Sequence, residues 1–312
     1  MPTQHENTIL IKRKAFELGF SACGIAKAQK LKNEELRLKD YLENNYHGKM
    51  SYMANHFEKR LDPTLLVEGA KSVVVVLLNY FPAQFQTDKL APIISKYAYG
   101  TDYHVVIKEK LNQLLCFINN ELTPVNGRVF TDSAPILERA WGVRAGLGWI
   151  GKNGLLLNKE LGSFFFIGEL IIDLPLNYDN PYIKEHCGTC NQCLSACPTK
   201  ALVKPYTLDA RKCISYLTIE LKDQIPEEFH HQLKGRAFGC DICQDMCPWN
   251  RKLKPHSIKA FLPNNQLLTM SANDWKNLSK EQFDALFSNS AIKRSGFKKL
   301  KQNIEIGCKK PT

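Results

Sequence analysis

Seven of the eleven cysteines fall in two runs whose spacing suits iron. Cys187-Gly-Thr-Cys190-Asn-Gln-Cys193-Leu-Ser-Ala-Cys197-Pro198 fits C-x2-C-x2-C-x3-C-P, in which three close thiolates hold three irons of one cube and the fourth reaches a second cube. The second run, Cys240-Asp-Ile-Cys243-Gln-Asp-Met-Cys247-Pro248, lacks its first ligand, because the position three before Cys240 is Ala237. Cys213 is the remaining cysteine nearby. The account closes as two [4Fe-4S] clusters, one on Cys187, Cys190, Cys193 and Cys247, the other on Cys197, Cys213, Cys240 and Cys243. A pair of zinc sites would explain neither the triple spacing nor both Cys-Pro endings. Disulfides are the weaker alternative, since a chain of this length buries a core without staples and its start does not resemble a secretory signal. Cys23, Cys116 and Cys308 read as ordinary thiols, the first two packed as small hydrophobes.

A second candidate is a single carboxyl. Arg128-Val-Phe-Thr131 reads as a strand that delivers Asp132 at its end, where ligands bind in open α/β sheets. The competing reading is a helix N-cap, because Asp ahead of Ser-Ala-Pro is good capping chemistry. Two other matches are discounted. Gly146-Leu-Gly148-Trp-Ile-Gly151 matches a dinucleotide fingerprint but follows a helix and not a strand. Asp102-Tyr-His104 has the start of a cobalt-ligating histidine motif, but Ile107 stands where its glycine belongs.

The elements that must position these groups alternate. Residues 8 to 20 have apolar side chains at helical spacing and stop at Gly19. Ala22 to Ala26 is a short apolar run, and Leu31 to Tyr46 and Ser51 to Arg60 read as helices. Lys71 to Asn79 is the clearest buried strand, β-branched and uncharged between its polar ends. A helix from about Val105 to Leu122 follows, then the Arg128 strand, an amphipathic helix after Pro135, a glycine-punctuated turn from Trp149 to Leu157, and a long apolar strand from Ser163 to Asp173. This order predicts an α/β fold, a mixed α/β domain over 1–178. A ferredoxin-like bis-[4Fe-4S] domain over 179–252 and a short, basic, helical C-terminal segment over 253–312 complete the division.

Hydrophobic residues make up 44% of the chain, which excludes wholesale disorder. The longest apolar runs, Val73 to Leu78 and Phe164 to Leu174, fall short of a membrane span, and Glu169 and Asp173 interrupt the second, so a cytoplasmic protein is expected. The formal charge of +11 points to a polyanionic partner. Lys293, Arg294, Lys298, Lys299 and Lys301 crowd the C-terminal segment, and Arg251, Lys252 and Lys254 follow the second cysteine run.

Several stretches together resemble the epoxyqueuosine reductase family: Gly48 to Met53, Lys96-Tyr-Ala-Tyr-Gly-Thr-Asp-Tyr-His104, Asp132 to Arg139, Gly148 to Gly154, the entire cysteine set, and Ser290-Ala-Ile-Lys-Arg294. The resemblance implies an oxidoreductase that makes queuosine from epoxyqueuosine in the tRNA anticodon loop. It implies a cobalamin in the α/β domain beside one of the clusters, reduced to Co(I) by single electrons from an external reductant. By the same resemblance Asp132 is the proton donor; it holds a proton at neutral pH only if burial raises its pKa, a desolvation that a site closed over by the corrin would supply. Arg60, Tyr97, Asn153, Ser215 and Asp241 are then cobalamin contacts, and Arg251, Lys293 and Arg294 are candidates to hold tRNA. Each also has a bland reading: a surface ion pair for Arg60, core packing for Tyr97, a turn for Asn153, helix caps for Ser215 and Asp241. Many relatives continue into a helical repeat, whereas this sequence ends at Thr312. A monomer is expected. Two other functions stay open: a corrinoid iron-sulfur reductase of a small molecule, like a reductive dehalogenase, and a non-catalytic iron-sulfur protein that binds RNA.

Overall fold

The computed structural model describes residues 3–307; Cys308 lies outside them. In chain order the elements that position the site are α1 (Gln4–Glu17), β1 (Ala22–Lys27), α2 (Lys32–Glu43), β2 (Ser72–Asn79), α3 (Tyr103–Phe117), β3 (Gly127–Phe130), α4 (Glu138–Arg144), β4 (Phe165–Ile172) and, at the far end, α5 (Phe297–Gly307). Thr3 and Glu6 form a capping box that starts α1. A carboxylate oxygen of Asp102 accepts the His104 N–H and starts α3.

The sheet has the order β1-β2-β4-β3, and every neighbouring pair is antiparallel. Alternation of helix and strand predicted the layers but carries no information on strand direction. Val73 to Leu78 of β2 are buried on both faces, and burying each is worth about 1.5–3 kcal/mol. One face, with Val74, Val76, Leu170 and Ile172, packs on α1 and α3. The other, with Val73, Val75, Leu77 and Ile171, packs on Trp141 and Ala145 of α4 and its vicinity. Side chains alternate along a strand, so Glu169 shares the α4 face with Phe165, Ile167 and Ile171.

The proposed division at 178 and 252 follows chain order, and packing crosses it. Arg236–Phe238, ahead of the second cysteine run, pairs in parallel with Ile93–Ile94. Phe238, Tyr99, Trp275 and Leu300 share one core. Asn303 of α5, fully buried, donates to the carbonyls of Thr218 and Ala237 at 2.8 and 2.9 Å. Cys23 lies on β1 opposite Val76, its thiol pushed up to about 12 by burial. Cys116 is exposed on α3, where the sequence suggested packing.

Candidate active site

The cysteines gather in two groups. Burial raises the Cys193 thiol, and Cys247, Cys187 and Cys190 raise it further. Burial likewise raises Cys243 well above its ordinary value, with Cys213, Cys240, Asp241 and Cys197 adding to it. Mutual influence thus follows the two quartets that spacing suggested. Backbone N–H groups of Ser215 and Tyr216 point at the Cys213 sulfur and that of Ile242 at Cys240, the kind of bond that tunes a cluster's potential. Among the described residues no three His, Cys, Asp or Glu side chains converge as a single ion requires. A cube binds its thiolates at four separate corners, so its ligands surround a volume and not a point.

The turn at 151–154 links the first quartet to the sheet domain. Lys152 Nζ donates to the carbonyls of Gly188 and Cys190 at 2.6 and 2.9 Å, and Arg139 holds the Gly154 carbonyl. Between them Asn153 is buried, with its Nδ2 lacking a partner among the described residues. Such an atom is costly unless a ligand completes it.

Asp132 caps no helix. It takes a left-handed backbone at φ 55°, tolerable for Asp, and α4 begins only after Leu137. Its N–H is held by the Glu138 carboxyl, and its Oδ2 accepts the Tyr103 hydroxyl. His104 Nε2 lies 3.3 Å from the same oxygen, and His104 Nδ1 lies 3.0 Å from Asp102. Arg294 Nη1 approaches Nδ1 at 2.7 Å, and Arg294 Nε lies 3.4 Å from Asp102. A neutral His104 accepts from Arg294 and donates through Nε2 to Asp132; a charged one donates to both carboxylates. Tyr103 stacks on Phe166 at 4.2 Å, with the Arg294 guanidinium 5.7 Å from its ring centroid.

The sequence led us to expect a raised pKa at Asp132. Burial does push the carboxyl up, but the bonds from His104 and Tyr103 outweigh it and hold the carboxyl below its ordinary value. Burial lowers His104, yet its bonds to Asp102 and Asp132 carry it above 6.5. The pair therefore holds one proton between them, resting mainly on the imidazole. With 57% of its side chain exposed, Asp132 is ringed by protein but open on one side.

The other candidates fall around this carboxyl unevenly. Tyr97 packs on Tyr103 and Phe238 at 6.0 and 5.9 Å, bridging the Asp132 neighbourhood and the strand that leads to Cys240. Arg60 is buried, donates to the carbonyls of Asn55 and Tyr52, and has no carboxylate partner among the described residues. Tyr52 and Glu220 are both raised by burial and, to a lesser extent, by the charge of Asp132. Asp241 is taken up by the Ser95 hydroxyl and the Lys96 N–H, the latter at 2.8 Å. Ser215 is half-buried beside Cys213. Arg251 and Lys293 are exposed, whereas Lys299 is buried and Lys301 is tied to backbone carbonyls. Sequence reasoning missed Tyr103 and His104 as neighbours of Asp132, although Asp102-Tyr-His104 had been singled out for another reason.

Glu169 is fully buried, and neither carboxylate oxygen has a partner among the described residues. Burial raises it well above 4.5, with Glu138 and Asp132 adding to the effect. Its neutral form costs about 1–3 kcal/mol unpaired, less than an ionised one, so it keeps its proton. Between 4.5 and its folded value the folded state binds more protons than the unfolded, and stability falls as pH rises. Glu169→Gln removes that loss. Its advantage in thermal denaturation should grow as pH rises above about 5, by up to about 1.4 kcal/mol per pH unit. An advantage that does not change with pH would mean that Glu169 is not held protonated.

A family model described as "4Fe-4S double cluster binding domain" matches residues 186–250, and one described as "Epoxyqueuosine reductase QueG, DUF1730" matches residues 60–133. The epoxyqueuosine reductase of Cyclobacterium marinum is 54% identical over 98% of this chain and 98% of its own length. The chain belongs to the epoxyqueuosine reductase family. A crystal structure of epoxyqueuosine reductase with a tRNA-Tyr epoxyqueuosine-modified stem loop superposes with a TM-score of 0.89, at 29% identity, covering 96% of this chain and 80% of that one. The Bacillus subtilis epoxyqueuosine reductase, solved with its aspartate catalytic loop swung out of the active site, gives 0.88 at 29% identity, with the same coverage.

Proposed function

We propose that this chain reduces epoxyqueuosine to queuosine in the tRNA anticodon loop, using two [4Fe-4S] clusters and cobalamin, with the Asp132–His104 pair as the proton source. The observation that carries this is the placing of Asp132: a carboxyl sharing a proton with His104, connected through Tyr103 and Tyr97 to the strand that enters the second quartet. The relatives named for this activity, and the one solved with a modified stem loop, support the substrate. The quartets supply thiolates of the kind cubes need. Asn153 Nδ2 and the buried, carboxylate-free Arg60 are donors that fit a cofactor bearing amides and a phosphate. When bound, cobalamin supplies a strongly nucleophilic metal centre at two-electron reduction. The chain's own part is to hold the nucleoside over Asp132 and deliver a proton to the departing oxygen. The swung-out loop of the Bacillus subtilis relative supports reading the left-handed Asp132 loop as a moving part.

No helix among the described residues is long and apolar enough to cross a membrane. We read the protein as a cytoplasmic monomer fed by an external one-electron carrier. The deciding experiment is a cobalt and iron assay of the loaded protein, with nucleoside analysis of tRNA from cells lacking the gene. Epoxyqueuosine should replace queuosine there. Unchanged queuosine would overturn the reading, and iron without cobalt binding would favour a non-catalytic RNA-binding protein.

The tRNA contacts give a separate expectation. Arg251→Ala and Lys293→Ala should each weaken tRNA binding and flatten its salt dependence by about one unit of slope at most. Arg294→Ala should also slow conversion, because its guanidinium is engaged with Asp102 and His104. Binding that ignores salt would remove the basic surface from the account.

A further inference from the structure

Removing an epoxide oxygen to leave an alkene breaks two C–O bonds and releases water. The balance is two electrons, arriving singly from the external carrier, and two protons. The Asp132–His104 pair holds one proton at a time. The second needs another source while the nucleoside covers Asp132 from water.

We propose that Glu138, backed by Glu169, stores the second proton of the turnover and passes it to Asp132. Glu138 opens α4, and its carboxyl already touches the Asp132 backbone through the N–H it accepts. Glu169 lies on the face of β4 that packs on α4, opposite Val75 on one side and Phe130 on the other, so its strand neighbours offer it no polar group. A partnerless acid in the centre of a sheet weakens the fold, and packing alone gives it no purpose. The groups that act on Glu169 are Glu138 and Asp132, and those that act on Glu138 are Asp132, Arg139 and His104. Arg139 bonds to the Gly154 carbonyl, so its charge lowers Glu138 less than burial and Asp132 raise it. Burial and then Asp132 push Glu138 up to about 8, which leaves it protonated at neutral pH and able to give that proton up. The store refills from water when product leaves and the open side of Asp132 is exposed again.

This rests on the epoxide-reducing reading, and wild-type conversion in the same assay tests that reading separately. Glu138→Gln keeps an oxygen for the Asp132 N–H but carries no proton. Conversion by the loaded enzyme at neutral pH should fall about tenfold or more, and Glu138→Asp, which keeps an acid, should recover part of the loss. Infrared spectra of the holoenzyme should show a protonated-carboxyl band that disappears as pH rises through about 8 and is missing in Glu138→Gln. An ionised Glu138 that only holds the Asp132 N–H would show no such band in wild type. Glu169→Gln, which relieves an unpaired buried acid, provides a second variant if the first fails to fold, and it too should slow conversion. Conversion within about twofold of wild type in the variant that folds, or a band titrating near pH 8 that persists in Glu138→Gln, would overturn the proposal; the band of Glu169, which keeps its proton, should remain in that variant.

Discussion

Asp132→Asn should slow conversion of epoxyqueuosine in tRNA by about 10²- to 10⁴-fold, the usual worth of a general acid, while iron content stays unchanged. Asparagine tolerates the left-handed backbone that Asp132 occupies, so the loop keeps its shape. The Asn oxygen still accepts from Tyr103, and Glu138 still holds the backbone N–H. What is lost is the site for the proton shared with His104. The carboxylate that lifts His104 is also gone, so its pKa should drop and the activity that remains should fade at lower pH than in wild type. Single-turnover conversion with cobalamin and reductant in excess is the measurement. A rate within about twofold of wild type would leave Asp132 no acid role. Loss of cobalamin binding would make it a cofactor contact instead.

Cys213→Ala should halve the iron, from about eight to about four per chain, and abolish conversion. Cys213 reaches its quartet from outside both cysteine runs, and its sulfur is already aimed by the N–H groups of Ser215 and Tyr216. Alanine leaves three ligands on that cube and leaves the other quartet intact. Cys23→Ala serves as the control, since Cys23 packs on β1 opposite Val76. Anaerobic purification followed by iron analysis and electron paramagnetic resonance of the reduced protein separates the two cubes. Full iron in Cys213→Ala with reduced iron in Cys23→Ala would reverse the ligand assignment.

Legibility in the sequence tracked the range of each interaction. Seven of the eight quartet positions lie within local runs, and Cys213 followed from counting, so the metal centres could be read. The strand 163–173 could be read as well, and the structure places β4 inside it. Glu169 was visible there only as a break in an apolar run. Its relation to Glu138 depends on which strand face meets α4, and pairing direction decides that. Asp132 was located, but the bonds from His104 and Tyr103 that hold its carboxyl below its ordinary value were not, because burial was weighed without those two residues. Those two start α3, and the motif that holds them was weighed only for cobalt ligation. Arg294 read as one of a row of surface cations. Its pairing with Asp102 and His104 joins positions far apart in the chain, and no local pattern records that.

The buried amide of Asn303 has a consequence for assembly in the cell. The two carbonyls it satisfies belong to Thr218, beyond Cys213, and Ala237, ahead of Cys240. All eight thiols leave the ribosome before this residue does. Until α5 docks, both ligand-bearing segments carry an open carbonyl and lack one wall of their shared core. Iron and sulfide delivery should therefore act after translation, on the chain with its last helix in place. A premature stop ahead of Phe297 would then give iron-poor protein prone to proteolysis, a loss at the level of maturation rather than a weaker hold on tRNA.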